Sequence, residues 1–479
     1  MQKFIEFSFS MLDKEHLSVL RALGRAVGVK APAAKSKKDL IEDILSIQRG
    51  LLEPVGFTNK GAPPKIDMDL SKFYEKTDNK LPVQKSYADV QRERQVIYVR
   101  ENIDSSGIFE MEGILEQNLS GYGFLRLNYF QNSKEDVYVS PQNIKRYNMR
   151  SGDRVRCKAK LVREGDSAPA LQDVLSINGL QPQRFINRAS FDDLLAYYPT
   201  EKLSVELKEE NNLSARCIDL FAPIGKGQRG LIVAPPKTGK TTLLKMIASG
   251  IEQNYPDVKL IVLLIDERPE EVTDIKRSLS SEVIYSTFDE SAEHHVKTAE
   301  MVINRAKRLV EVGTDVVILL DSITRLARAY NNVVESSGRT LSGGLDPTAL
   351  QGPKRFFGSA RNIDGNGSLT ILATALTETG SRMDEVIFEE FKGTGNMEIH
   401  LSRSLSEKRI FPAIDLYKSG TRKEELLLTK DELDVSFKLR KLLSERNDAT
   451  DSLIEMMGKT KDNQDFISRA DAWLKLYQK

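Results

Sequence analysis

Lys240 and Thr241 carry the first chemistry in this chain. They stand in Gly230-Leu231-Ile232-Val233-Ala234-Pro235-Pro236-Lys237-Thr238-Gly239-Lys240-Thr241-Thr242. A Lys-Thr pair after a tight, glycine-containing turn is a phosphate-binding pattern, the P-loop. Such a turn aims its backbone N–H groups inward and forms an anion nest. A helix that opens at Lys240 adds the positive end of its dipole. The ammonium can reach terminal phosphates, and the Thr241 hydroxyl can ligate Mg²⁺. Thr238, Gly239 and Thr242 complete the cradle. The usual pattern begins with Gly, and here that position is Ala234. Taken alone, the stretch also fits a plain strand–turn–helix.

Two acids extend the chemistry. Residues 315–321 read DVVILLD, an apolar strand that ends in Asp321. A carboxylate there is the Walker B arrangement, which holds Mg²⁺ through water. Residues 259–267 read KLIVLLIDE and end in Glu267. Open parallel sheets place active sites at the C-terminal ends of their strands. Glu267 is therefore a candidate to activate the attacking water. Either acid alone also fits a solvated strand end. Three such strands in one stretch of chain favour a single site. Further on, Arg403, Lys408, Arg409, Arg422 and Lys423 cluster between residues 400 and 426. A cation at the γ-phosphate stabilises charge in phosphoryl transfer, and in a ring it can come from a neighbouring subunit. A solvated basic loop is the alternative.

A second chemistry precedes the first. Gly121-Tyr122-Gly123-Phe124-Leu125-Arg126 is followed by Asp136-Val137-Tyr138-Val139. Period-two alternation puts Tyr122, Phe124 and Arg126 on one face of a strand. Exposed aromatics beside an Arg make a stacking platform for single-stranded bases. Glycines flanking Tyr122 favour that reading over a packed core. Two glycine-containing loops, 336–344 with Arg339, Gly343 and Gly344, and 379–382 with Ser381 and Arg382, each follow a core strand or its helix. In a ring they can face a central channel and grip a phosphate backbone. Otherwise they are surface loops.

The elements that must position these groups follow from pattern. Residues 1–50 hold two helical stretches, LSVLRALGRAVGV and KSKKDLIEDILSIQ, the second capped at Ser36. Residues 51–106 are poor in aliphatics and rich in Pro, Lys and Asp, which predicts a linker. Residues 107–180 hold five short strands, GIFEMEGILEQ, YGFLRLNYF, DVYVSPQNI, DRVRCKAKLV and ALQDVLSING. They predict a small barrel of the OB or cold-shock type. Residues 181–229 connect it to an α/β unit, 230–479, in which strands alternate with helices. Its last 50 residues are helical.

Composition narrows the class. The 479 residues carry a net charge of only +1, so any nucleic-acid site is local. Cys157 and Cys217 lie far apart and without metal spacing, as in a chain with reduced thiols. No apolar run reaches the ~18 residues of a membrane helix. With no basic n-region before an apolar stretch, the expected location is the cytoplasm.

The stretches GLIVAPPKTGKT, LLIDERPEEVTD, DSITRLARAYN, PKRFFGSARN, EEFKGTGNMEIHLSR, EKRIFPAID and SGTRKEELLL, with GYGFLR and DVYVSP, closely resemble the bacterial transcription termination factor Rho family. The match runs from about residue 107 to the C-terminus, and the family also carries Ala at the position of Ala234. The resemblance implies a multidomain chain: an N-terminal helical module, an OB/cold-shock-type barrel, and a RecA-like P-loop ATPase core with a helical C-terminus. It implies a homohexamer that binds nascent RNA, translocates with ATP and Mg²⁺, and acts on the RNA polymerase elongation complex. It assigns Lys237, Lys240 and Thr241 to phosphate and Mg²⁺, and Asp321 to Walker B. Glu267 activates water, with Arg268 beside it. Arg422 is the arginine finger toward the neighbour's ATP, Arg409 a further arginine, and Phe411 the aromatic beside the adenine. Tyr122, Phe124, Arg126, Asp136 and Tyr138 form the primary RNA site. Arg339 and Arg382 stand where many relatives have Lys, which keeps charge but changes geometry. Ala168, in Asp166-Ser167-Ala168-Pro169, replaces a Tyr and cannot stack on a base. Two other readings stay open: a RecA-like DNA helicase or rotary-type ATPase, and a non-enzymatic RNA-binding protein. The barrel speaks against the first. The intact nucleotide residues speak against the second.

Overall fold

The computed structural model describes residues 7, 9–13, 15–48, 52, 107–127, 135–160, 168–207, 212–445 and 449–477. The linker expected over 51–106 lies outside the described residues but for Leu52. So do Asp166 and Ser167.

Near-continuous apolar strands form a central, mostly parallel sheet because both of its faces are covered. Its strands run in the order β14-β13-β7-β12-β10-β8-β9. These are β7 (Arg229–Ala234), β8 (Lys259–Glu267), β9 (Glu282–Thr287), β10 (Val316–Asp321), β12 (Ser368–Leu376), β13 (Met397–His400) and β14 (Gly420–Thr421). Alternation splits each strand between two cores. Leu260, Val262 and Leu264 pack on one side of the sheet; Ile261, Leu263 and Ile265 pack on the other. Two short strands join at the start of β12, where β11 (Arg361–Ile363) pairs with Ser368 and Leu369 and β6 (Ala196–Tyr197) pairs with β11.

The expected boundary at residue 230 falls inside this unit. The helix Leu213–Phe221 buries Ala215, Cys217, Ile218, Leu220 and Phe221 in the same core as the sheet. Arg216 on it is fully buried and donates to the carbonyls of Met457, Thr460 and Asp462. Those contacts fasten the C-terminal helices Ala449–Gly458 and Asn463–Tyr477 to the core.

The barrel is closed, in the order β1-β2-β3-β5-β4. Its strands are β1 (Ile108–Gln117), β2 (Gly123–Arg126), β3 (Val137–Val139), β4 (Arg154–Lys160) and β5 (Ala170–Ile177). The third strand is shorter than expected. Ser140 accepts a hydrogen bond from Asn143 N and Pro141 occupies the first helical turn, so PQNI opens the helix Pro141–Arg146. The barrel sits on the long helix Ala292–Val310. At Gly152, φ is +93° and an added Cβ would lie 2.4 Å from the Asn304 carbonyl carbon. Glu311 there pairs with Arg150 at 3.1 Å and Arg308 at 2.9 Å.

The N-terminal unit stands by itself. Helices Leu17–Val27 and Lys37–Gln48 bury Leu20, Leu23, Leu40, Ile41 and Ile44 between them. Ser36 Oγ accepts from Asp39 N, which is the expected cap.

Candidate functional site

β7 delivers the chain to the P-loop at the C-terminal edge of the sheet. The positive φ angles fall at Lys237 (65°) and Gly239 (86°), not at Ala234, so the loop closes without a glycine at its first position. Thr238 Oγ1 donates to Pro235 O at 2.8 Å and pins the turn. The helix Lys240–Asn254 starts directly behind it. No side chain crowds Gly239, so the nest stays open.

Lys240 Nζ lies 2.6 Å from Asp321 Oδ1 and 3.9 Å from Glu267 Oε2. β12 runs between β7 and β10 and contributes Thr374, whose hydroxyl donates to Asp321 Oδ1 at 2.8 Å. Thr241 Oγ1 donates to Glu271 Oε2 at 3.3 Å. Asp321 and Glu267 are almost wholly buried, 1% and 2% exposed. Two buried carboxylates beside a threonine hydroxyl are oxygen ligands of the kind Mg²⁺ takes, and the ammonium beside them suits the phosphates that would accompany it.

Glu267 reaches this place through a bulge. Asp266 has φ 56°, and the pairing of β8 with β9 shifts register between Ile265 and Glu267. A bulge re-aims the next side chain. Glu267 Oε1 accepts from Arg268 N at 3.0 Å and pairs with Arg325 Nη1 at 3.3 Å. Its Oε2 has no hydrogen-bond partner among the described residues. Burial pushes the carboxyl above its ordinary range and the Asp321 charge adds to this; Arg325 and Lys240 oppose without cancelling it. A basic, half-bonded carboxylate beside the P-loop suits a general base.

The arginines separate. Arg268 directly precedes the helix Pro269–Ser278 and lines a cleft of about 550 Å³ with Asp266, Phe288 and Arg325. Arg409 and Phe411 follow the short helix Arg403–Glu407, whose Ser406 Oγ donates to Lys237 O of the P-loop at 3.1 Å. Phe411 is 51% exposed. Arg422 stands at the other end of the sheet. Thr421 pairs with Met397, and Met397 with Gly230 at the start of β7. Arg422 N donates to Asn396 O, and Asn396 N to Arg229 O. From Gly230 to Ala234 the strand advances about 13 Å, so Arg422 lies away from the P-loop of its own chain.

In the barrel, Tyr122, Phe124 and Tyr138 are half-buried and share one face. Their ring centroids lie 6.0, 5.7 and 5.9 Å apart. The Arg126 guanidinium lies 5.2 Å over the Phe124 ring. Gly123 has a different reason from the one expected: an added Cβ would lie 2.7 Å from Glu116 O on β1. Asp136 is 2% exposed and sits under Arg126 at 2.6 Å. It orients that arginine. Ala168 leads into the edge of this face, since Tyr138 N donates to Pro169 O and Tyr138 pairs with Ala170.

The two loops meet. At Gly343, φ is +79° and an added Cβ would lie 2.5 Å from Met383 N, directly after Arg382. Arg339, Gly344 and Arg382 are exposed and Ser381 half-exposed. Asp346 gathers Ser337 N, Ser337 Oγ, Thr348 N and Thr348 Oγ1. Hydrogen bonds from Thr348 and Ser337 hold its carboxyl well below the usual range. Thr379 and Arg328 converge on Asp384.

Sequence reasoning missed Arg325, Glu271, Thr374 and Asp346. Arg325 was within sight: it lies one turn past Asp321 on the helix Ile323–Val333. Thr374 was hidden, because nothing in SLTILATAL says which strand lies beside β10.

Residues 214–421 match the model of the ATP synthase alpha/beta family nucleotide-binding domain. Residues 111–183 match the Rho termination factor RNA-binding domain. The ATPase of a bacterial type III secretion system shares the fold, with a TM-score of 0.50 and 23% identity over 64% of this chain and 95% of that one. Fold and site thus define a P-loop ATPase joined to an RNA-binding barrel. Transcription termination factor Rho of Bacillus subtilis (strain 168) is 54% identical over 80% of this chain and 90% of its own length. That of Neisseria gonorrhoeae is 53% identical over 77% and 90%. The chain belongs to the transcription termination factor Rho family, and it is an RNA-binding, ATP-dependent terminator.

Proposed function

We propose that the chain acts in the cytoplasm as a homohexameric ring that binds single-stranded nascent RNA, pulls itself along with ATP and dissociates the RNA polymerase elongation complex. The observation that carries this is the presence, in one compact unit, of a three-ring stacking face and a P-loop bordered by buried acids. In this reading Lys237, Thr238, Gly239, Lys240 and Thr242 cradle the phosphates and Phe411 stacks on the base. Thr241 and Asp321 hold Mg²⁺, which when bound neutralises charge on the β- and γ-phosphates. Lys240 exchanges its carboxylate partner for phosphate oxygens. Glu267 takes the proton of the attacking water, and Arg325 orients it. Arg268 and Arg409 border the site. Arg422 reaches a neighbour's nucleotide. Tyr122, Phe124, Tyr138 and Arg126 hold RNA bases, with Asp136 behind them. Arg339, Gly343, Gly344, Ser381 and Arg382 grip its backbone at the ring's centre.

ATP hydrolysis by the purified chain, with and without single-stranded cytidine-rich RNA and beside a matched DNA, tests this. Strong stimulation by RNA and little by DNA is the expected result. Equal stimulation by DNA, or none by either, would overturn it. Ala168→Tyr should add a fourth ring near Tyr138. One more stacked base is worth about 1 kcal/mol, roughly a fivefold gain in affinity. Fluorescence anisotropy with a short cytidine oligonucleotide reads it directly.

A further inference from the structure

The arginine of the barrel's RNA face is held by two carboxylates. Arg126 is pinned between Glu116 and Asp136. Arg126 is only 12% exposed and Asp136 2%. Glu116 lies beside Phe124 in the strand register, and an unshielded carboxylate there would repel an approaching phosphate backbone.

A second cation on Glu116 comes from the ATPase core. Lys297, on the helix Ala292–Val310, places Nζ 3.0 Å from Glu116 Oε1. The carboxylate is thus shared. Oε2 takes Arg126 and Oε1 takes Lys297. Lys297 is 33% exposed, so its charge also faces solvent at the rim of the platform. Burial raises the Glu116 pKa, but hydrogen bonds from Lys297 and Arg126 outweigh it and hold the carboxyl below its ordinary value.

The same helical turn reaches toward the nucleotide site. Two residues before Lys297, His295 Nδ1 lies 2.6 Å from Ser286 Oγ on β9. His294 Nδ1 lies 2.9 Å from that hydroxyl. β9 is the direct neighbour of β8, which carries Glu267. The seam at Gly152, Arg150 and Glu311 fixes the barrel against this helix along its length.

We infer that Lys297 is a positioning residue for RNA: the ATPase core lends it to the barrel's RNA face, where it shares Glu116 with Arg126, lowers the repulsion that carboxylate offers a phosphate backbone, and ties the affinity of that face to the placement of the core helix. This rests on the RNA face proposed above. A barrel with the same aromatic residues but no such lysine on the core helix binds RNA less well.

The test uses the full chain with Lys297→Met and Lys297→Arg. A labelled cytidine-rich RNA too short to span from barrel to central loops reports affinity by anisotropy across a salt series. The Met variant should bind about fivefold more weakly, the scale of one partly exposed ion pair. Its salt dependence should flatten by about one unit of slope. In ATPase assays its KM for RNA should rise by the same factor while the rate at saturating RNA holds. Lys297→Arg should restore both. Unchanged affinity in the Met variant overturns the inference. So does a loss that Arg fails to restore, or a fall in maximal rate with KM unmoved, since either marks a merely structural role. Unmutated protein that binds none of this RNA would overturn the RNA face itself, and that result is distinct from the other three.

Discussion

Glu267→Gln should leave ATP binding intact and cut RNA-stimulated turnover by roughly 10²- to 10⁴-fold, the usual contribution of a general base. The substitution keeps size and the Oε1 contacts. Arg268 N and Arg325 can still donate to an amide oxygen. What disappears is the basic oxygen, Oε2, which has no hydrogen-bond partner among the described residues. The measurement is kcat beside equilibrium binding of a nucleotide. Lost binding would mean that Glu267 holds phosphate or metal. Unchanged turnover would remove it from the chemistry. The pH profile supplies a second check. Burial and the nearby Asp321 carboxylate raise the Glu267 pKa. A base works only when deprotonated, so turnover should fall as pH drops through that raised value, at a higher pH than for an ordinary glutamate. In Glu267→Gln the residual rate should lose this acidic limb.

Much of this site could be read before any fold was known, for a physical reason. P-loop and strand-end chemistry is local. The nest, the Lys-Thr pair and the helix that follows occupy consecutive residues, and an apolar strand that stops at an acid announces its own end. The aromatic face was legible for the same reason, because period-two alternation at Tyr122, Phe124 and Arg126 needs only one strand. Contacts between distant segments were not legible. Thr374 reaches Asp321 only because β12 is inserted between β7 and β10. Lys297 reaches Glu116 across 181 positions of chain. The third barrel strand was overrun for a local reason misjudged: Ser140-Pro141 is a helix start, and its cap outweighs the strand pattern before it. The family resemblance put Asp136 in the RNA site, and in the fold it is buried beside Arg126.

The position of Arg422 leads to the second large effect. In one chain it lies at the N-terminal edge of the sheet, while Lys240, Asp321 and Glu267 lie at the C-terminal edge. In the ring proposed above, a finger there would serve a neighbour's nucleotide, since head-to-tail contacts close into rings where the rotation permits. Arg422→Ala should therefore lower turnover by about 10³-fold or more, as loss of an arginine finger does, with nucleotide affinity little changed. Lys240→Ala should be at least as inactive. In that ring the two defects lie on opposite sides of the same interface. In a ring co-assembled from both variants, an Arg422→Ala subunit keeps its P-loop and can borrow Arg422 from a Lys240→Ala neighbour. With equal random mixing about a quarter of the interfaces are complete. Turnover of the co-purified mixture should then rise far above either variant alone, toward that fraction of the unmutated rate. If Arg422 acted within its own chain, every subunit in the mixture would carry one lesion and none would recover. Absence of recovery at all mixing ratios, with rings shown to contain both variants, would place Arg422 outside the neighbour's site. Recovery would also establish the ring, because a complete site would then require two chains.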